Sequence, residues 1–94
     1  MTERVDFTIR SIEAIRAPAT GRIEFKDLRT PGLYLRVTSN GVKSFSFVGR
    51  AKGSSRVERS TLGKFPTVKP EEARRRATEI GGQLAAGKSV ATVE

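Results

Sequence analysis

Apolar and polar residues alternate most regularly between Gly32 and Arg50. Leu33, Leu35 and Val37 alternate with Tyr34, Arg36 and Thr38, and Phe45 and Phe47 alternate with Ser44 and Ser46. A period of two puts one set on each face of a strand. Between the runs stands Ser39-Asn40-Gly41, with Asn-Gly tolerating the positive φ of a tight turn. The stretch predicts a β-hairpin with one apolar face and one polar, basic face. A two-stranded ribbon is marginal alone, so its apolar face needs a cover from elsewhere in the chain.

The same pattern places the other elements. Ile9, Ile12 and Ile15 recur at three-residue steps and predict a short helix or turn over Thr8–Ile15 packed on the core. Pro18 and Gly21 break the connector that follows. Arg22–Leu28 reads as a short strand, with Ile23 and Phe25 on one face and Glu24 and Lys26 on the other. Pro31-Gly32 marks a turn. Beyond the hairpin, Gly49–Ser55 is a basic loop, and Arg56–Gly63 is a strand with Arg59 and Thr61 opposite Ser60 and Leu62. Pro70 suits a first helical position, and Glu71 and Glu72 complement the positive end of a helix dipole. Ala73, Ala77, Ile80 and Leu84 then form one apolar stripe. Gly81 and Gly82 weaken this helix by about 1 kcal/mol each relative to Ala. Gly87 is placed to cap it.

The expected fold class is α+β: a three-stranded antiparallel sheet, with a short edge strand at Arg22–Leu28, packed on one C-terminal helix. The core expected between them joins Leu33, Leu35, Val37, Phe45, Phe47 and Leu62 to Ala73, Ala77, Ile80 and Leu84. The 94 residues suffice for one small domain, 1–94, ordered over about 7–87, with 88–94 a tail or linker.

Charge changes the picture more than overall composition does. The formal net charge is +8, and its distribution is uneven. Met1–Pro31 carries +1 and Glu71–Glu94 is balanced, whereas Gly32–Pro70 sets eight Lys and Arg against Glu58 alone. A solvated surface that only aids solubility does not need its charge concentrated in one element. A focused positive field points to a polyanion. The chain has no cysteine and no histidine, which removes disulfides, thiolate metal sites, the usual general base and the commonest nitrogen ligand. No run approaches the length of a membrane span and the N-terminus lacks a signal-peptide core, so a cytoplasmic protein with no membrane partner is expected.

The uncovered sheet face has the make-up of a nucleic-acid surface. A β-ribbon is narrow enough for the B-DNA major groove. Arg36 and Arg59 can donate bidentately to guanine, Thr38, Ser44, Ser46 and Thr61 can bond bases or phosphates, and Tyr34 can stack or contact a thymine methyl. Arg50 is expected on the same face, and Lys43, Lys52, Arg56 and Lys64 stand near strand ends and loops, where they can hold phosphates. Catalytic chemistry is missing. Tyr34, the single tyrosine, has no activating partners, and Glu24 and Asp27 make no visible acid/base pair. No catalytic residue, metal ligand or cofactor is expected.

The ordered series GLYLRVTSNGVKSF, RSTLGKFP and EEAR resembles the arm-type DNA-binding domain of phage and genomic-island (P4-like) tyrosine recombinase integrases. The resemblance runs from about Phe7 to Gly87, and the upstream IRSIEAIRAPATGRIEFKDLRTPGL fits it. It implies a three-stranded sheet laid in the major groove at arm sites of attachment DNA. It also implies a non-catalytic piece of a larger recombinase, normally followed by core-binding and catalytic domains, working beside other integrase subunits and monomeric when isolated. Three positions leave the family pattern. Val48-Gly49 replaces a basic residue and an aromatic, so a bulge or a different DNA contact is expected at that strand end. Lys69-Pro70 replaces Ser/Thr-Leu and loses a side-chain helix cap. Gly87-Lys88-Ser89-Val90 replaces Gly-x-Asp-Pro at the helix exit. Two other classes fit a basic sheet. An RNA-binding module would need more exposed aromatics than Tyr34, and a subunit-bridging protein-interaction domain would tolerate loss of Arg36 and Arg59.

Overall fold

The computed structural model describes residues 3–53, 55 and 57–87. The elements run β1 (Glu3–Val5), α1 (Ile9–Glu13), β2 (Arg22–Asp27), β3 (Leu33–Thr38), β4 (Lys43–Arg50), β5 (Val57–Phe65) and α2 (Pro70–Ala85). The strands form one sheet in the order β1-β2-β3-β4-β5. The fold is α+β, but the sheet is larger than three antiparallel strands and an edge. It has five strands and is mixed, because β1 pairs in parallel with β2, with Arg4 beside Lys26. Three residues with one half-buried position carry too little pattern to announce a strand.

The hairpin forms as its alternation requires. Leu33 faces Phe47, Tyr34 faces Ser46, Leu35 faces Phe45 and Arg36 faces Ser44. At the turn, the Gly41 amide donates to the Thr38 carbonyl at 2.9 Å, and Gly41 alone takes positive φ, at 85°. Asn40 stays out of the left-handed region, so the glycine follows the tight turn rather than sharing it.

The sheet's irregularity lies opposite Phe45 and Ser46, not at Val48-Gly49. Phe45 pairs with Gly63 and Ser46 with Thr61, which leaves Leu62 as an extra residue in β5. The bulge keeps Leu62 in the core and moves Lys64 to the polar face beside Ser44. Gly63 has φ 139°, and a Cβ there would lie 2.4 Å from Val68, so this position excludes a side chain. Arg76 of α2 donates to the freed Leu62 carbonyl at 2.7 Å. Past the bulge, Val48, Gly49 and Arg50 pair regularly with Arg59, Glu58 and Val57. Gly49 has a packing reason: a Cβ there would sit 2.9 Å from the Phe47 ring and 3.1 Å from Leu84.

Two covers share the apolar face. The α2 stripe of Ala73, Ala77 and Leu84 is buried, and Ile80 packs at its margin. The N-terminal segment is the second cover, as the spacing of Ile12 and Ile15 leads one to expect of a short helix packed on the core. Phe7 and Ile12 are fully buried, and the Phe7 and Phe45 rings stand 6.1 Å apart. Ile9, by contrast, is exposed. A capping box holds α1: Ser11 N donates to Thr8 Oγ1 at 3.0 Å and Thr8 N donates to Ser11 Oγ at 2.9 Å. Helix α2 begins at Pro70 with Lys69 as an N-cap that makes no side-chain cap bond, as the loss of Ser/Thr there leads one to expect. At its other end Gly87 takes φ 86° and donates to the Leu84 carbonyl at 2.9 Å.

Arg74 ties the layers together. Its Nε and Nη2 donate to Asp27 at 2.8 and 2.9 Å, and Nη2 also reaches Asp6 at 2.9 Å. Asp27, whose side chain has no exposure, also accepts from the Phe7 and Thr30 amides, both at 3.1 Å. Burial pushes the Asp27 carboxyl up, but the Arg74 bonds and the Phe7 amide outweigh it and hold the group below the usual carboxylate range. Among the described residues no helix is long and apolar enough to cross a membrane.

Candidate nucleic-acid interface

The face of the sheet turned away from α2 gathers residues from all five strands. β3 contributes Tyr34, Arg36 and Thr38, β4 contributes Ser44, Ser46, Val48 and Arg50, and β5 contributes Arg59, Thr61 and Lys64. The registers of β1 and β2 add Arg4, Arg22, Glu24 and Lys26 to the same side. Glu24 is the one acid on this face among the described strand residues, against Arg4, Arg22, Lys26, Arg36, Arg50, Arg59 and Lys64.

At its centre Arg36 and Arg59 converge on one carboxylate oxygen. Arg36 Nε donates to Glu24 Oε2 at 3.4 Å, and Arg59 Nη1 donates to the same oxygen at 3.1 Å. Arg59 stands on β5 and Glu24 on β2, so the guanidinium reaches over β3 and β4. The trio is half-buried, with side-chain exposures of 29% for Arg36, 37% for Arg59 and 26% for Glu24. Among the described residues no other protein group bonds either guanidinium, so both Nη groups of Arg36 and the Nε–Nη2 edge of Arg59 remain open.

The other expected site residues divide. Tyr34 is half-buried, and the Lys26 ammonium lies 5.5 Å from its ring centre. Ser44 is half-buried, while Thr61, Lys64 and Arg50 are exposed. Lys52 is exposed in the loop after β4, whose path is held by its amide donating to the Leu84 carbonyl at 2.8 Å. Thr38 uses its hydroxyl locally, accepting from the Val42 amide at 3.2 Å. Arg56 lies outside the described residues, as does the expected tail 88–94.

Two residues stand differently from the sequence expectation. Ser46 lies on the polar face between Tyr34 of β3 and Thr61 of β5, but at 6% exposure it is its floor. Lys43 falls on the opposite face, in register with Val37 and Phe65, and its ammonium donates to the Ile12 carbonyl at 2.6 Å. It caps the end of α1 and does not join the basic surface.

Arg4, Arg22, Glu24 and Lys26 are members of this face that sequence reasoning set aside. The signal was present: if Ile23 and Phe25 point inward, their neighbours point outward. Segment-by-segment charge counting hid it, because Met1–Pro31 is nearly neutral as a block while Arg4, Arg22 and Lys26 share one sheet face and two of the three strand acids, Glu3 and Asp27, fall on the other. Arg4, Lys26 and Tyr34 border a cavity of about 250 Å3 at this end of the sheet. Cations spread over an open sheet, with uncommitted planar donors at the centre, can hold a polyanion along its length and read hydrogen-bond acceptors between its charges.

Among the described residues no group of three or more Asp or Glu side chains is arranged to hold a metal ion. Comparison of the sequence with curated proteins finds no match. The family model of the arm DNA-binding domain matches residues 7–94, so the chain belongs to that family, a domain that binds DNA in integrase-type recombination.

Proposed function

We propose that the chain binds arm-type sites of attachment DNA with sequence preference, inserts β3, β4 and β5 into the major groove, and so positions a tyrosine recombinase integrase of the P4-like kind for recombination. The observation that carries this reading is the uncovered polar face with its open Arg36 and Arg59 edges. Dimensions support it. Strands lie about 4.8 Å apart, so three span roughly 10 Å, against a groove about 12 Å wide. Five strands are too wide for the groove. β1 and β2 then lie over a flanking backbone, where Arg4, Arg22 and Lys26 meet phosphates. In this reading the domain is a cytoplasmic, non-catalytic unit, monomeric alone, that acts beside other integrase subunits.

The test is an amide NMR titration with a duplex carrying the direct repeats that flank the parent element's attachment site. Shifts are expected at Tyr34, Arg36, Ser44, Arg59 and Thr61, with α2 largely unmoved. Shifts confined to α2 and α1 would sink the sheet-in-groove reading. Affinity should fall with salt by about 0.9 log units per phosphate contact for each log unit of salt.

A further inference from the structure

We propose that Glu24 is a specificity-determining residue of the sheet face, one that sets the two guanidinium groups for base edges and discourages docking on phosphates alone. The inference rests on the DNA-binding reading above and names a residue and a role beyond it.

A surface that only needs to hold a polyanion gains nothing from a carboxylate at its centre, since a like charge near phosphates opposes binding. Glu24 is nevertheless there, half-buried, on a face otherwise carrying cations. Its chemistry suits a reader. Oε2 grips Arg36 at Nε and Arg59 at Nη1. Those two bonds leave a bidentate pair on each guanidinium: Nη1 with Nη2 on Arg36, and Nε with Nη2 on Arg59. Each pair matches the O6 and N7 acceptors of guanine. An arginine held by a carboxylate also loses less rotamer freedom when it meets a base. The second oxygen, Oε1, has no protein partner among the described residues and can accept from a cytosine amino group. On a duplex with the wrong bases, the carboxylate faces other acceptors and phosphates with nothing to offset its desolvation.

The experiment selects duplexes from a random-sequence library with the wild-type chain. It then measures Kd for the enriched duplex and for a mixed-sequence duplex with wild type, Glu24→Gln and Glu24→Asp. Removing the charge should tighten mixed-sequence binding and lower the ratio of the two constants by about tenfold, the scale of one lost base-reading pair. Glu24→Asp keeps the charge on a shorter arm that cannot hold both arginines. It should lower the ratio without tightening mixed-sequence binding, and it decides the question if the Gln variant fails to fold. If wild type enriches a sequence and both variants keep its ratio, with only the melting temperature changed, Glu24 is a stabilising ion-pair partner and the inference fails alone. If wild type enriches no sequence, the reading of sequence-preferring binding fails and this inference with it.

Discussion

On the helix side of the sheet, Arg74 donates from Nε and Nη2 to Asp27 and Asp6, and Arg76 donates to Glu72 and the Leu62 carbonyl. On the opposite side, among the described residues, Arg36 donates only from Nε and Arg59 only from Nη1, both to one oxygen of Glu24. The residue type and formal charge are the same on both sides. What differs is how many donors the fold consumes. Arg74 satisfies a buried carboxylate and is itself needed there, whereas Arg36 and Arg59 keep planar edges open toward solvent. A count of basic residues therefore overstates the binding surface, and a count of uncommitted donors defines it better.

The largest expected effect breaks the helix side. Arg74→Met leaves the Asp27 carboxylate buried with only backbone amides, and losing one partner of a buried pair costs about 3 kcal/mol. For a domain this small that lowers the melting temperature by roughly 15 °C in a thermal unfolding scan. DNA affinity at a temperature where the variant is folded should not change. A large affinity loss in the folded variant would show that the two sides are not separable.

The same network makes stability depend on pH. Asp27 titrates below its ordinary value of 3.8 when folded. Its contribution is therefore complete above that value and is lost as pH falls through the lower folded pKa. Wild type should lose stability on acidification in this range. Asp27→Asn, already destabilised at neutral pH, should lose less, as followed by circular dichroism.

The opposite side breaks differently. Arg36→Ala and Arg59→Ala should each cost about 1–3 kcal/mol of discrimination between the selected duplex and a mixed sequence. Folding stability should fall by less than about 1 kcal/mol, since a partly exposed ion pair contributes little. Paired Kd and unfolding measurements check both halves. Stability losses on the scale of Arg74→Met would mean that these arginines are structural as well.

How far the sequence reveals this division depends on the range of the interaction. The hairpin, β5, α2 and the inward set Leu33, Leu35, Val37, Phe45 and Phe47 are legible because alternation and helical spacing are local signals. Arg36 and Arg59 are placed on the right face for the same reason. Lys64 is expected only near a strand end, and its place within β5 on the polar face is not legible, because the Leu62 bulge shifts the pleat by one residue and only the pairing with β4 reveals it. Phe7 has no periodic context, so its place in the core depends on the Asp27 and Arg74 network that folds the N-terminal segment back. Glu24 looks like one more outward residue on an edge strand. Its meeting with Arg59, 35 positions away, depends on the order of four strands.

The smallest effect sharpens the comparison with two lysines that the sequence treats alike. Lys43 and Lys64 both stand at strand ends, and each pairs across the β4–β5 ladder. The bulge makes them point to opposite faces. Lys43 is tied to the Ile12 carbonyl at 2.6 Å, and Lys64 is exposed beside Ser44. Lys64→Ala should reduce the salt slope of DNA binding by about 0.9, one phosphate contact, and leave melting unchanged. Lys43→Ala should leave the slope alone and cost about 1 kcal/mol of stability, one hydrogen bond at the end of α1. Two titrations over a salt series and two melting curves decide it. Equal slopes for both variants would mean that facing across the bulge does not govern phosphate contact, and that net charge alone sets the affinity of this sheet.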